Sequence, residues 1–367
     1  MEGIEKLYNL FLSRSSLKDY KVNGRKIIGT LCNNVPEELI HSMGAVPTRM
    51  IGLSTSTELS SSKMPSWVCL YTRRIMEDAL KGELNYLDGV VGMTSDDTKT
   101  QFFSAYTFYL KPKFSYLIQI PYEIDELSLD FFEKELMRFV SRLSAFLNLE
   151  FSEERLVQSI KVYNEFRERL EDLSKLRHLE SPKISGEDWL KVLLGSTVML
   201  KEEFNALISS IYEEAKDFEG KKDYRLRIHL SGTDFYEPEI VRMIESLGGI
   251  VVSDDLCTAE GYYYGKVRRF DLKSLAERYL SQSACVLTSK SGNLSIGDRL
   301  SFIAKRIEES GADAIILLRD RGCEVCGHQC PFISEEFNLP ILILDLDTPY
   351  PTEQMRTRVE AFIESFG

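Results

Sequence analysis

Hydrophobic residues in the first third of the chain follow two rhythms. Over residues 4–19 they recur every three or four positions, which predicts a short amphipathic helix. Beyond it, compact apolar runs alternate with helical stretches. Lys26–Leu31 ("KIIGTL") has the length of a buried strand and is followed by "CNNVPEELIHSMGA". There Pro36 suits the first helical position, Glu37 and Glu38 suit the first turn, and Gly44 ends the helix before a strand at Val46–Ile51. Ser66–Gly82 predicts a helix with Cys69 near its start. Gly89–Met93 ("GVVGM") reads as a buried strand ending in "TSDDTKT", and Phe114–Ile120 as another, stopped by Pro121. Strands alternating with helices indicate parallel β-α-β architecture.

From Leu127 to about Glu219 the apolar spacing is helical throughout, enough for three or four helices with a break at Ser181–Gly186. Alternating charges over Glu153–Arg177 read as a solvated helix face. At Tyr224 the alternation resumes. "YRLRIHL", "IVVSDD", "DAIILLRD" and "ILILDLD" read as strands. A helix follows the loop in "SGTDFYEPEIVRMIESLGG", and "SLAERYL", "RLSFIAKRIEES" and Thr352–Phe366 read as further helices. Both α/β parts run strand, small polar loop, Pro-Glu, amphipathic helix, glycine, strand, which reads as an internal repeat. The expected organisation is an N-terminal α/β domain over residues 1–122, a helical segment over 123–222 and a C-terminal α/β domain over 223–367.

Charge narrows the function. The net charge is −12, from 57 acids against 45 bases, with no basic block. That argues against nucleic-acid binding, which needs clustered Lys and Arg to displace counterions. The N-terminus has no basic segment followed by an apolar one, as a signal peptide would, and no apolar run approaches the roughly 18 residues of a membrane span. The expectation is a cytoplasmic protein without a membrane partner. In a reducing cytosol, grouped cysteines point to metal or redox chemistry rather than to disulfides.

Seven cysteines are present, three of them with a histidine in "RDRGCEVCGHQC" (Arg319–Cys330). Open parallel sheets bind ligands beyond the carboxyl ends of their strands. Cys32 directly follows the first strand, Cys257 follows "IVVSDD", and Cys323 follows "DAIILL" after a short loop that also holds Cys326 and Cys330. Cys69 sits at a helix N-terminus, where the dipole favours a thiolate. Cys285, in "SACVLTSK", reads as an ordinary apolar-segment cysteine. Packing suits Cys32 and Cys257 as well as ligation does. Three thiols in one glycine-flanked loop have no evident packing purpose. A lone zinc knuckle lacks its mate, and His328 reads as a loop residue or outer donor. A C-x-x-C redox pair leaves Cys330 and Cys69 unused. A cubane iron–sulfur cluster, whose thiolates can come from distant segments, uses the cysteines most economically.

Other features are weaker. No dinucleotide or P-loop glycine motif is present. Asp96/Asp97 and Asp254/Asp255 stand at strand ends and read as caps or turns. "EGYYYG" offers three tyrosines for stacking on a ligand or for core packing, and Arg73 and Arg74 read as solvated.

Taken together, "CNNVPEELIHSMGAVPTRM", "CLYTRRIMEDALKG", "LDGVVGMTSDDTK", "VVSDDLCTAEGYYYG" and "RDRGCEVCGHQC" with "NLPILILDLD" resemble, in order and spacing, the 2-hydroxyacyl-CoA dehydratase subunit family. That family includes benzoyl-CoA reductase subunits and double-cubane-cluster reductases. The resemblance runs from about Lys26 to Phe366. It implies two flavodoxin-like parallel-sheet α/β domains with a helical insertion between them. It also implies an oxygen-sensitive cluster in the interdomain cleft, 4Fe–4S or a double cubane. A separate ATP-hydrolysing iron–sulfur activator would inject one low-potential electron, a homologous subunit would complete a homo- or heterodimer, and the substrate would be a small molecule of the acyl-CoA kind. Cys69 and Cys323 match family cluster positions, whereas Ser95 stands where the family has its middle cysteine. Cys326 and Cys330 are then the candidates to complete the cluster, and Ser95 a candidate substrate contact or oxygen ligand. The expected function is that of an anaerobic electron-transferring subunit of a lyase or reductase. Two alternatives remain open: a cluster-free scaffold or relay subunit paired with a cluster-bearing paralogue, and a zinc-stabilised binding protein.

Overall fold

The computed structural model describes residues 1–65, 67–281 and 297–366; Cys285 lies outside them. In chain order the first half contains α1 (Glu2–Ser13), α2 (Ser15–Val22), β1 (Ile27–Thr30), α3 (Glu37–Ser42), β2 (Val46–Arg49), α4 (Glu58–Ser61), α5 (Leu70–Leu80), β3 (Gly89–Met93), α6 (Asp97–Leu110) and β4 (Phe114–Ile118). Four helices follow: α7 (Glu126–Leu147), α8 (Glu153–His178), α9 (Gly186–Ser196) and α10 (Lys201–Asp217). The second half contains β5 (Leu226–Gly232), α11 (Pro238–Ser246), β6 (Gly249–Asp254), α12 (Glu260–Tyr263), α13 (Leu272–Leu280), α14 (Gly297–Ser310), β7 (Ala314–Asp320), α15 (Glu324–Glu336), β8 (Ile341–Leu346) and α16 (Glu353–Glu364). Among the described residues no helix is long and apolar enough to cross a membrane.

The strands form two parallel four-stranded sheets, in the orders β2-β1-β3-β4 and β6-β5-β7-β8. The two orders are the same when each half is counted from its own first strand, so the repeat read from the sequence is a repeat of topology. In each sheet the order reverses direction beside the first strand, between β1 and β3 and between β5 and β7. Loops diverge at such a point and leave a crevice.

Several elements depart from the sequence reading for identifiable reasons. The amphipathic stretch over 4–19 is two helices, because Arg14 turns left-handed (φ 52°) and caps α1 through its amide to Leu10. The guanidinium of Arg14 is buried against the Tyr86 hydroxyl and the Ile51 carbonyl, which holds the break in place. Pro36 is the cap residue of α3 rather than its first helical residue. Helix α6 was not foreseen; Asp96 caps it by accepting from the Lys99 amide at 2.7 Å. The charged stripe of α8 is not uniformly solvated. Arg167 and Arg177 are buried, paired with Glu38 and Asp254 respectively. The segment Cys323–Cys330 is not a loop: Cys323 is the cap residue of α15, and Cys326 and Cys330 lie inside that helix.

The β5–β6 register shifts between Ile228 and His229, and the His229 ring is buried there with Nδ1 2.9 Å from the Ser253 hydroxyl. Burial, reinforced by Arg299, Arg177 and Arg306, pushes its pKa down to about 3. The unfolded chain therefore takes up a proton below about pH 6.5 that the folded chain refuses, so stability is lost as pH falls. In His229→Asn, which keeps a polar partner for Ser253, the gap in unfolding free energy to wild type should narrow by roughly 1.4 kcal/mol for each pH unit below that point. Urea titrations at a series of pH values between neutrality and the acid range test this, and a gap that does not change with pH contradicts it.

Candidate functional site

The carboxyl ends of the central strands of both sheets meet across one cleft. The N-terminal wall carries the loop after β1 with Cys32, the end of β2 with Arg49, the loop after β3 with Ser95, and the start of α5 with Cys69. The C-terminal wall carries the loop after β5 with Asp234 and Tyr236, and the end of β7 with Asp320 and Cys323.

Cys69 and Cys323 are cap residues of α5 and α15, one on each wall. Asp320 ties the walls together. Its carboxylate accepts from the Leu70 amide at 2.7 Å, across the cleft, and from the Gly322 amide at 2.8 Å. Gly322 sits so close to the Val68–Cys69 backbone that a Cβ would stand 2.5 Å from the Cys69 nitrogen. The sequence predicts a thiolate-favouring helix terminus at Cys69, but burial and then the Asp320 charge push this thiol well up, and burial pushes Cys323 up to about 11. Both thiols are thus held in the protonated form at neutral pH.

A network of buried charges fills the cleft beside the thiols. Asp234 accepts from Arg49 at 3.0 Å and pairs with Lys99 at 2.8 Å, and Lys99 also reaches Asp96 at 3.2 Å. Arg49 and Lys99 stand 6.0 and 5.8 Å from the centre of the Tyr71 ring, which stacks on Tyr236 at 5.2 Å. The two cations hold the Asp234 carboxyl below its usual range despite burial. Cys32 and Cys257 are buried near Lys99. Arg74, expected at the surface, is buried and paired with Glu237 across the same cleft.

The predicted site residues therefore divide. Cys69 and Cys323 face each other on opposite walls. Ser95 is buried at the head of α6, its hydroxyl 3.5 Å from Asp96. Cys326 and Cys330 lie one and two turns into α15, buried in an apolar cluster with Ile303, Ile315, Leu317 and Ile333. Cys326 is 3.4 Å from the Leu318 carbonyl, and a thiol hydrogen bond with Cys330 together with burial holds it protonated. Among the described residues no group of three or more His, Cys, Asp or Glu side chains is arranged to hold a metal ion. Cys69 and Cys323 oppose each other at the cleft, Cys32 and Cys257 are buried nearer the Lys99 network, and among the described residues these thiols are not gathered into the set of thiolates that a cubane takes.

The "EGYYYG" tyrosines are packing residues. Tyr262 donates to Glu37 at 2.8 Å, Tyr263 meets Trp189 edge-on, and Tyr264 meets Phe302 edge-on. Of the acid pairs, Asp96 is a helix cap, whereas Asp254 and Asp255 are buried ion-pair acceptors for Arg177 and Arg299. Arg49, Lys99, Asp234 and Asp320 were missed by sequence reasoning. Their signal was position, each falling within a few residues of a strand's carboxyl end.

Two parallel sheets with opposed switch points, joined through a buried polar and thiol-bearing cleft, define a two-lobed α/β protein with its site between the lobes. The chain belongs to the 2-hydroxyglutaryl-CoA dehydratase D-component family, whose model matches residues 32–366. It is 27% identical to the putative dehydratase subunit YjiM of Escherichia coli, over 95% of this chain and 94% of that one. It is 24% identical to the beta subunit of (R)-2-hydroxyglutaryl-CoA dehydratase of Acidaminococcus fermentans, over 96% and 95%. It is 21% identical to a benzoyl-CoA reductase subunit of Thauera aromatica, over 85% and 82%.

Proposed function

We propose that this chain is one subunit of an acyl-CoA dehydratase-type enzyme, and that it forms the walls of the substrate cleft while a homologous partner subunit carries the complete iron–sulfur cluster. The observation that carries this reading is the donor set: Cys69 and Cys323 oppose each other at the cleft without being gathered with other thiols into a metal-holding group among the described residues, Ser95 stands where the resemblance implies the middle cysteine, and Cys326 and Cys330 are turned into the core of the second lobe. The substrate class is a 2-hydroxyacyl thioester, in keeping with the family and with relatives named as dehydratase subunits.

A cluster on the partner would supply one-electron chemistry, delivered through an ATP-hydrolysing activator. This chain's own residues do the rest. Arg49 and Lys99 hold positive charge at the strand ends, suited to a thioester oxygen that gains negative charge, and Asp234 keeps both cations in position. The buried, stacked rings of Tyr71 and Tyr236 lie beside the two cations. The Cys69 and Cys323 thiols border the same space.

Anaerobic iron–sulfide reconstitution of the isolated chain tests the division of labour. The chain alone should hold well under the roughly four irons of one cubane. Co-expressed with a homologous subunit, it should form a complex whose iron content is unchanged by Cys323→Ser in this chain. About four irons on the isolated chain, lost in Cys69→Ser and Cys323→Ser, would overturn this reading in favour of a cluster-bearing subunit. Stoichiometric zinc that resists exchange would overturn both.

A further inference from the structure

Large apolar side chains exposed singly are ordinary on a protein surface, whereas several together mark an interface. Four fall within the ten residues that lead into α7. Tyr122, Ile124, Leu127 and Phe131 are 71%, 41%, 80% and 39% exposed. Leu127 and Phe131 are four residues apart on α7 and so share a face. From Tyr122 to Glu133 the chain carries five acids and no base. Asp125 is committed as the cap of α7, accepting from the Ser128 amide at 2.7 Å. Glu123, Glu126 and Asp130 are exposed and have no ion-pair partner among the described residues. The apolar patch thus has an uncompensated negative rim.

The start of α13 carries the opposite charge. Phe270 is 45% exposed there, with the Lys161 ammonium of α8 5.9 Å from its ring centre. Lys266, Arg268, Arg269 and Lys273 flank it and are exposed. Lys266 pairs with Glu168 at 3.1 Å, and Arg269 with Glu277 at 3.4 Å and Asp271 at 3.6 Å. Exposed pairs of this kind contribute about 0–1 kcal/mol each. Asp271 also caps α13, accepting from the Ser274 amide at 2.7 Å. Lys161, Arg268 and Lys273 have no ion-pair partner among the described residues. Helix α13 packs directly on α7, and Leu129 and Leu272 rest on the same core cluster. The acidic and the basic patch are therefore carried by neighbouring helices, each with exposed aromatic side chains and each short of counter-charge.

We propose that this α7–α13 surface joins two copies of the chain about a two-fold axis, which sets the acidic start of each α7 against the basic start of the other's α13. A two-fold interface must be complementary to itself, and a surface holding both halves of a charge pair meets that condition twice over. The arrangement also answers the net charge of −12, which repels two copies unless opposite patches are aligned. The proposal is independent of the chemistry assigned to the cleft.

Sedimentation velocity of the full chain over a range of concentrations tests it. In about 50 mM salt the wild type should dimerise with a dissociation constant at or below about 10 μM, weakened at least about tenfold in about 0.5 M salt. Arg268→Glu/Lys273→Glu and Glu123→Lys/Asp130→Lys should each be monomeric, with wild-type melting temperatures because the changed residues are exposed and unpaired. An equimolar mixture of these two variants should dimerise again, since every contact then joins unlike charges. Leu127→Ser should weaken the dimer at least about tenfold. A wild type that stays monomeric up to about 100 μM in low salt would overturn the proposal. So would dimerisation of either charge-reversed variant or of Leu127→Ser as tight as wild type, or a mixture that stays monomeric.

Discussion

Asp234→Ala should destabilise the protein by about 3–5 kcal/mol, the scale of breaking a buried charge pair from one side. The side chains of Arg49 and Lys99 are only 4% and 7% exposed, and both point their charge at this one carboxylate. Without it Lys99 keeps Asp96 at 3.2 Å, but Arg49 is left with a 3.4 Å contact to the Tyr236 hydroxyl and a ring face. Because Asp234 belongs to the second half and both cations to the first, the loss falls on the contact between lobes. Urea unfolding followed by tryptophan fluorescence should show a much lower midpoint. Asp234→Asn, which retains the shape and a hydrogen-bonding oxygen, should fall between the two. An alanine variant within about 1 kcal/mol of wild type would mean that the network is solvated and not a clasp.

Gly322→Ala is the second large effect. The added methyl would stand 2.5 Å from the Cys69 nitrogen and the Val68 carbonyl carbon and 2.6 Å from the Cys69 Cα. All three are backbone atoms, so no rotamer change relieves the clash, and α5 and α15 must separate. A cost of about 1–3 kcal/mol is expected from overpacking alone, together with loss of the Asp320–Leu70 hydrogen bond. Gly327, one turn further into α15, is the internal control. A Cβ there meets nothing within 4 Å, so Gly327→Ala should stabilise the helix by about 0.5–1 kcal/mol. Equal effects at the two positions would refute the close approach of the thiol-bearing caps.

These two predictions rest on contacts between segments far apart in the chain, and such contacts divide what was legible from what was not. The strands were legible because each is a short apolar run bounded by a turn signal, as in "KIIGTL" and "DAIILLRD". The cysteines' nearness to strand ends was legible for the same reason. Helix α15 was not. Its first turns hold Gly327, and Pro331 lies inside it, so local propensity argued for a loop. Tertiary packing of Cys326, Cys330 and Ile333 against β7 outweighs that propensity. Helix α8 misled in the other direction. Its alternating charges look solvated, yet Arg167 and Arg177 find buried carboxylates on α3 and β6. No local pattern announces a buried ion pair, because each partner taken singly resembles a surface residue.

The sequence by itself determined the alternation of strands and helices, the repeated halves, the family, and the position of Cys69, Ser95 and Cys323 at element ends. All of these follow from local periodicity and spacing, and from motifs kept in order along the chain. The tertiary structure decided which thiols meet and which are packing, because direction around a helix matters only once the helix has a neighbour. It also decided that Arg49, Lys99 and Asp234 form one centre, since 185 residues separate Arg49 from its carboxylate and the free energy of their pairing exists only when two lobes exclude water between them.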